Sequence, residues 1–210
     1  MRDAAIEKLA IEYYDPNMPY HNFEHIIYVL KSSDDIIRKC RNEGIAIDES
    51  VVYYALLFHD AAFHENHIEK GFESKEAYSA YLAARELQGN GVSQNIIEKV
   101  KAAILSTHCD AHCYSNEDKA VRAADLSGMG TDYEFFKENA IKLKKESEIM
   151  SNRHVPWQEW KHAAIERIEL FLREDLEITN DYYDAEGDSI FHKRVRNNLK
   201  ILMSDESESI

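Results

Sequence analysis

Val51-Val52-Tyr53-Tyr54-Ala55-Leu56-Leu57-Phe58-His59-Asp60-Ala61-Ala62-Phe63-His64 is the stretch on which the reading of this chain turns. It is apolar, holds neither Gly nor Pro, and is too short to span a bilayer. Those properties predict a buried helix. At its end stand His59 and Asp60, with His64 five residues beyond His59. Burying an imidazole beside a carboxylate is costly unless something pairs with both. A metal ion satisfies the two together, and its remaining ligands must then come from elsewhere in the chain.

Outward from this stretch the pattern is helical throughout. Residues 2–14 carry Ala5, Ile6, Leu9, Ala10 and Tyr13 at helical spacing, and Asp15-Pro16-Asn17-Met18-Pro19 stops them. Asn22 is the expected N-cap of a helix to about Asn42, with Gly44 beyond its end. Asp48 caps the helix of the opening stretch. Further helices are expected from Ser74 to about Gln88, from Ser93 to about His108, and over 117–127, 131–150, 156–176 and 186–203. The acidic residues 204–210 read as a frayed tail. The expectation is an all-α, single-domain bundle of about eight or nine helices over 1–210. Residues 20–130 form its metal-bearing core and 131–203 its C-terminal helices.

Composition agrees. Of 210 residues, 44% are hydrophobic, enough for a sizeable core, and only 7 Gly and 3 Pro interrupt regular structure. The formal net charge is −14. No basic stripe follows a phosphate backbone, which argues against long nucleic acid as a partner but leaves a small phosphate ester possible. Cys40, Cys109 and Cys113 form no disulfide framework. With a mixed, charged N-terminus and no run long enough for a membrane span, they predict a cytoplasmic protein without membrane partners.

Two further groups complete a ligand set. His25 falls in the first turn of the helix that Asn22 opens, and Asp125 lies in the apolar segment Ala123-Ala124-Asp125-Leu126. Two imidazoles and two carboxylates without thiolate suit one divalent ion, Mn, Co, Ni, Fe or Zn, with Mg less suited to imidazole. The plainer alternative is a pair of core histidines, with Asp125 paired to Arg122 one turn earlier. Around the set, His64 is a general acid, a second-metal ligand or a solvent histidine. Glu73 orients water or merely favours a helix N-terminus. His21, with Tyr20 beside it, and Arg122 are candidates for substrate contact. His108 and His112 compete for one such role. His108-Cys109-Asp110-Ala111-His112-Cys113 reads as a loop rather than a zinc site, because no second Cys/His cluster completes one.

His25, His59-Asp60 and Asp125 resemble the ligand pattern of the HD superfamily of metal-dependent phosphohydrolases. Tyr20-His21-Asn22-Phe23-Glu24-His25, Glu73-Ser74, Ile104–His108 and Ala124-Asp125-Leu126 resemble segments of its small predicted phosphohydrolases. The likeness covers about residues 13–130. It implies an HD-like helical fold and a metal-activated water that attacks phosphorus, with His25, His59, Asp60 and Asp125 as metal ligands. Asp60, Glu73 and one of His64 or His108 would serve catalysis. The implied substrate is a nucleotide or another small phosphate ester. Some members of the superfamily are di-iron oxygenases with two extra histidines, which His64, His67, His108 and His112 could supply. A metal- and nucleotide-binding protein without turnover is the third possibility.

Overall fold

The computed structural model describes residues 3–173 and 176–208. These residues form nine α-helices and no strand beyond one isolated bridge between Tyr183 and Ser189. The helices are α1 (Ala4–Ile11), α2 (Phe23–Asn42), α3 (Glu49–Phe58), α4 (Lys75–Gly89), α5 (Gln94–Leu105), α6 (Asn116–Asp125), α7 (Tyr133–Ser151), α8 (Trp157–Phe171) and α9 (Ile190–Ser204). Short polar side chains set most of the starts. Asn22, Asp48, Ser74, Ser115 and Asp132 each accept a backbone N–H from the first turn of the helix that follows. Among the described residues no helix is long and apolar enough to cross a membrane.

The opening stretch is the centre of the larger core. Val51, Val52, Ala55, Leu56, Leu57 and Phe58 are fully buried. Their helix packs against α2, α4, α5 and α6. Each large apolar side chain removed from water contributes about 1.5–3 kcal/mol. A smaller cluster, made of Phe136, Trp157, Ile168, Val195, Leu199 and Leu202, ties α7, α8 and α9 together. A 3-10 turn over Leu126–Gly130 carries the chain from one core to the other. Gly130 allows that passage, since a Cβ there would lie 2.8 Å from the Phe191 ring.

Several ends differ from the sequence pattern. The eighth helix stops at Phe171 rather than near 176, and Glu174 and Asp175 lie outside the described residues, as does Arg2 at the start of the first. The last helix begins at Ile190 rather than 186. The Asp184 carboxylate accepts from the Glu186 and Asp188 backbone N–H groups and makes a turn of that segment. The acidic tail does not fray through its described part. Asp205 pairs with Lys137 at 2.7 Å, and Glu208 pairs with Lys144 at 2.8 Å. Those lysines are buried and need the carboxylates. Ser209 and Ile210 lie outside the described residues.

Candidate metal centre

Local chain geometry delivers the four expected donors to one point. The α3 helix ends at Phe58, and a turn follows in which Ala62 takes a positive φ of 57°. That turn is tied down twice. The Ala62 N–H donates to the Tyr13 carbonyl at 3.0 Å, and the Ser79 hydroxyl donates to the Ala61 carbonyl at 3.1 Å. His59 and Asp60 are thereby held at the mouth of the core. His25 comes from the first turn of α2, and Asp125 is the last residue of α6.

His59 Nε2 lies 2.9 Å from Asp60 Oδ2 and 3.3 Å from Asp125 Oδ1. His25 Nε2 lies 3.5 Å from Asp60 Oδ2 and 3.4 Å from Asp125 Oδ1. All four donor atoms fall within 4.8 Å of one another. Metal–ligand bonds of about 2.1 Å place neighbouring donors about 3.0 Å apart in an octahedron and about 3.4 Å apart in a tetrahedron. The observed spacing fits a single ion.

Two details strengthen the fit. His25 Nε2 and Asp60 Oδ2 are buried and have no hydrogen-bond partner, although each has the other close by. An ion between them would satisfy both. His59 Nδ1 lies 2.9 Å from the Leu56 carbonyl, which can only accept, so Nδ1 carries the proton and Nε2 is left to bind.

The electrostatics follow from this crowding. Burial pushes the His59 imidazole down, but the charges of Asp60 and Asp125 prevail and hold it well above its ordinary value. His25 is raised in the same contest, against burial, by the Asp125 and Asp60 carboxylates close to it. Burial pushes both carboxyls up. The charges of His59 and His21 hold Asp60 well below the usual range, and His59 and His25 do the same for Asp125. A divalent ion would take the place of the protons these groups share.

His21 stands at the edge of the cluster. Its Nε2 lies 3.9 Å from Asp60 Oδ2, and its ring stacks on Phe63 with centroids 3.6 Å apart. Its Nδ1 makes a short contact with the carboxylate of Glu146, a residue of α7. Glu146 also accepts from the backbone N–H groups of Tyr20, at 3.1 Å, and His21, at 2.8 Å. Burial pushes the Glu146 carboxyl up, yet these partners hold it below its ordinary value. The Tyr20 ring lies 4.7 Å from that of His25, and burial, then Asp125 and Asp60, push its phenol up.

Among the described residues, His64, Glu73, His108 and Arg122 do not join the four-donor group. His64 is exposed, and its charged neighbours are Asp15 and Glu65. Glu73 is exposed just before the cap of α4. His108 sits in the α5–α6 loop, where Asp110 N–H donates to its Nδ1 at 3.2 Å and Cys109 stands beside it. The Arg122 guanidinium neither pairs with Asp125 nor meets solvent. It is wholly buried and donates to the carbonyls of Ser106, Cys109 and Ala111. Its charge secures the loop.

Sequence reasoning missed two residues at the mouth, Glu146 and Lys75. Glu146 hides in Lys144-Lys145-Glu146-Ser147-Glu148, where charges fall on every side of the helix and none is marked out. Lys75, in the first turn of α4, places its Nζ 3.3 Å from the Phe63 ring centroid and 3.3 Å from the Phe63 carbonyl.

The nine helices of the described residues share their all-α arrangement with solved structures. Among solved structures, the chain is similar to the phosphodiesterase domain of the rhodopsin phosphodiesterase of Salpingoeca rosetta. The TM-score is 0.63 at 16% identity, over 95% of this chain and 79% of that one. A second structure, the phosphodiesterase domain of the RhoPDE fusion protein from the same choanoflagellate, gives 0.60 at 15% identity over 94% and 81%. At that identity the likeness is one of fold. No protein-family model matches the chain, and no curated protein matches it.

Proposed function

We propose that this protein is a metal-dependent phosphohydrolase acting on a small phosphate ester such as a nucleotide. The observation that carries the reading is the convergence of His25, His59, Asp60 and Asp125, with two buried donor atoms left unpartnered. The donor set suits Mn²⁺, Fe²⁺, Co²⁺, Ni²⁺ or Zn²⁺, and Mg²⁺ less well. Such an ion supplies a Lewis acid and makes water more acidic. That both similar structures are phosphodiesterase domains supports ester hydrolysis as the reaction class.

The protein's own groups divide the remaining work. His21 is the best-placed proton donor to the leaving oxygen, because its Nε2 points at the centre while Glu146 fixes Nδ1 and Phe63 fixes the plane of the ring. His64 and Glu73, both exposed, are less well placed for that step, as is His108 in its separate loop. Tyr20 closes one side and keeps water off His25. A di-iron oxygenase would need further ligands, and none of His64, His67, His108 and His112 joins the four-donor group among the described residues.

The test is elemental analysis of protein purified without added metal, then a screen for product release from 4-nitrophenyl phosphate and bis(4-nitrophenyl) phosphate with Mn²⁺, Co²⁺, Ni²⁺ and Mg²⁺. About one ion per chain, lost together with hydrolysis in His59→Ala and Asp60→Ala, is the expected result. A double variant with full metal content and full activity would refute the reading. Tight nucleotide binding with every metal, but no turnover, would make the protein a sensor.

A further inference from the structure

We propose that Lys75 is the anion-binding residue of this centre, its ammonium meeting the phosphoryl oxygens of the substrate; the inference rests on the hydrolase reading above. The strongly buried cations of the described chain all have their partners. Lys137 pairs with Asp205, Lys144 with Glu148 and Glu208, and Lys161 with the carbonyls of Met203 and Asp205. Arg122 has its three loop carbonyls. Lys75 is half-buried, and among the described residues its ammonium meets the Phe63 ring and carbonyl and the Met150 sulfur at 3.8 Å. No carboxylate lies within ion-pair distance of it among the described residues. Burial pushes the ammonium down, and the charges of Asp60, Glu146 and Glu76 only partly offset this. A half-buried cation without a counter-ion is costly unless something anionic arrives.

Its position selects what arrives. Lys75 and His21 both lie on the Phe63 ring, at 3.3 Å and 3.6 Å, and two groups that close cannot share one face. Phe63 is therefore a spacer that sets the proton donor and the cation on a common wall beside Asp60. Charge counting gives the same answer. A divalent ion would be balanced by Asp60 and Asp125, and Glu146 is engaged by the His21 ring and the Tyr20 and His21 backbone N–H groups. Lys75 is left as the uncompensated positive charge at the mouth. On a chain of net charge −14 a local positive focus is what an anionic substrate needs to approach. A compact ammonium on a flexible stem suits a phosphoryl group, which it meets as a point charge.

The experiment compares wild type, Lys75→Met and Lys75→Arg in the full-length, Mn²⁺-loaded protein. The readouts are inorganic phosphate binding by calorimetry, KM and kcat for bis(4-nitrophenyl) phosphate, metal content, and the thermal midpoint. Lys75→Met keeps the aliphatic cover on Phe63 and should keep metal and midpoint. Its phosphate affinity should fall about tenfold or more, and KM should rise in step. Lys75→Arg should recover most of the loss. Unchanged phosphate affinity and KM in Lys75→Met would overturn the proposal while leaving the hydrolase reading intact. If wild type binds phosphate in a Lys75-dependent way but hydrolyses nothing, the hydrolase reading fails and the anion site stands. If wild type neither hydrolyses nor binds phosphate, both fall. A shifted midpoint in Lys75→Met, not restored by Lys75→Arg, would mark Lys75 as structural and count against the proposal.

Discussion

The two cores of this molecule are built on different principles. The larger one, around α3, is mostly apolar, and its buried polar groups include His25 and His59 of the candidate metal centre and Arg122 beneath the α5–α6 loop. The smaller one, around α7, α8 and α9, contains Lys137, Lys144 and Lys161 in nearly full burial, each neutralised by the acidic tail or by backbone carbonyls. The first is stabilised chiefly by area removed from water. The second depends on charge pairs whose loss leaves an ammonium buried alone. The helix α7 serves both. It presents Phe135 to Tyr28 and Glu146 to His21, and also Lys137 and Lys144 to the tail. The four candidate metal donors thus belong to the larger core, while the carboxylate that holds His21 comes from a helix shared with the smaller one.

The contrast can be tested by degree. The largest expected effect is on the metal side. Asp60→Asn should lower hydrolysis by about a thousandfold or more and remove most of the bound ion, because it takes one charge from the donor set. Activity assays and elemental analysis read this together. Next, Phe58→Ala should cost about 3–5 kcal/mol in a urea titration, since it empties a fully buried site at the centre of the larger core. Glu146→Gln should keep the metal and lower kcat about tenfold to a hundredfold, because His21 loses the carboxylate that aims it. If it lost metal instead, the division between the two cores would be wrong.

The tail gives a smaller, pH-dependent effect. Lys137 and then Tyr133 hold the Asp205 carboxyl down at about 2, below its unfolded value. A depressed carboxyl contributes stability that is complete above the unfolded value and lost as pH falls through the folded one. The contribution should therefore fade between roughly pH 4 and pH 2 and amount to about 1–2 kcal/mol. Fluorescence of Trp157 and Trp160 should report the change, and Asp205→Asn should abolish that part of the pH dependence. Smallest of all, Lys142→Ala, which removes an exposed pair with Glu138, should change stability by no more than about 0.5 kcal/mol.

How legible these features are in the sequence follows the same division. The apolar period of α3, the caps at Asn22 and Asp48, and the adjacency of His59 and Asp60 are local signals, so the helical core and the four donors can be read along the chain. Glu146, Lys75 and Arg122 depend on which helix face meets which neighbour. Arg122 invites a reading as a phosphate ligand because its partners are backbone carbonyls, which carry no residue identity. The tail looks like solvated charge because its lysines lie far back in α7 and α8. Periodicity identifies a buried face when that face is apolar. It is silent when the buried face is charged and the compensation comes from a distant segment.

The reach of Glu146 across from α7 has a consequence for how the protein ages and warms. If the two cores open as separate cooperative units, a centre that draws on both has the lifetime of the shorter-lived one. Release of the tail's lysines would then free α7 to draw the Glu146 carboxylate away from His21, with the four donors left on the larger core. On heating or in acid, hydrolysis should fade before the helical signal falls and before bound metal is released. Cooling or neutralising should restore it without refolding, so inactivation by this route is a reversible pause rather than a loss of protein.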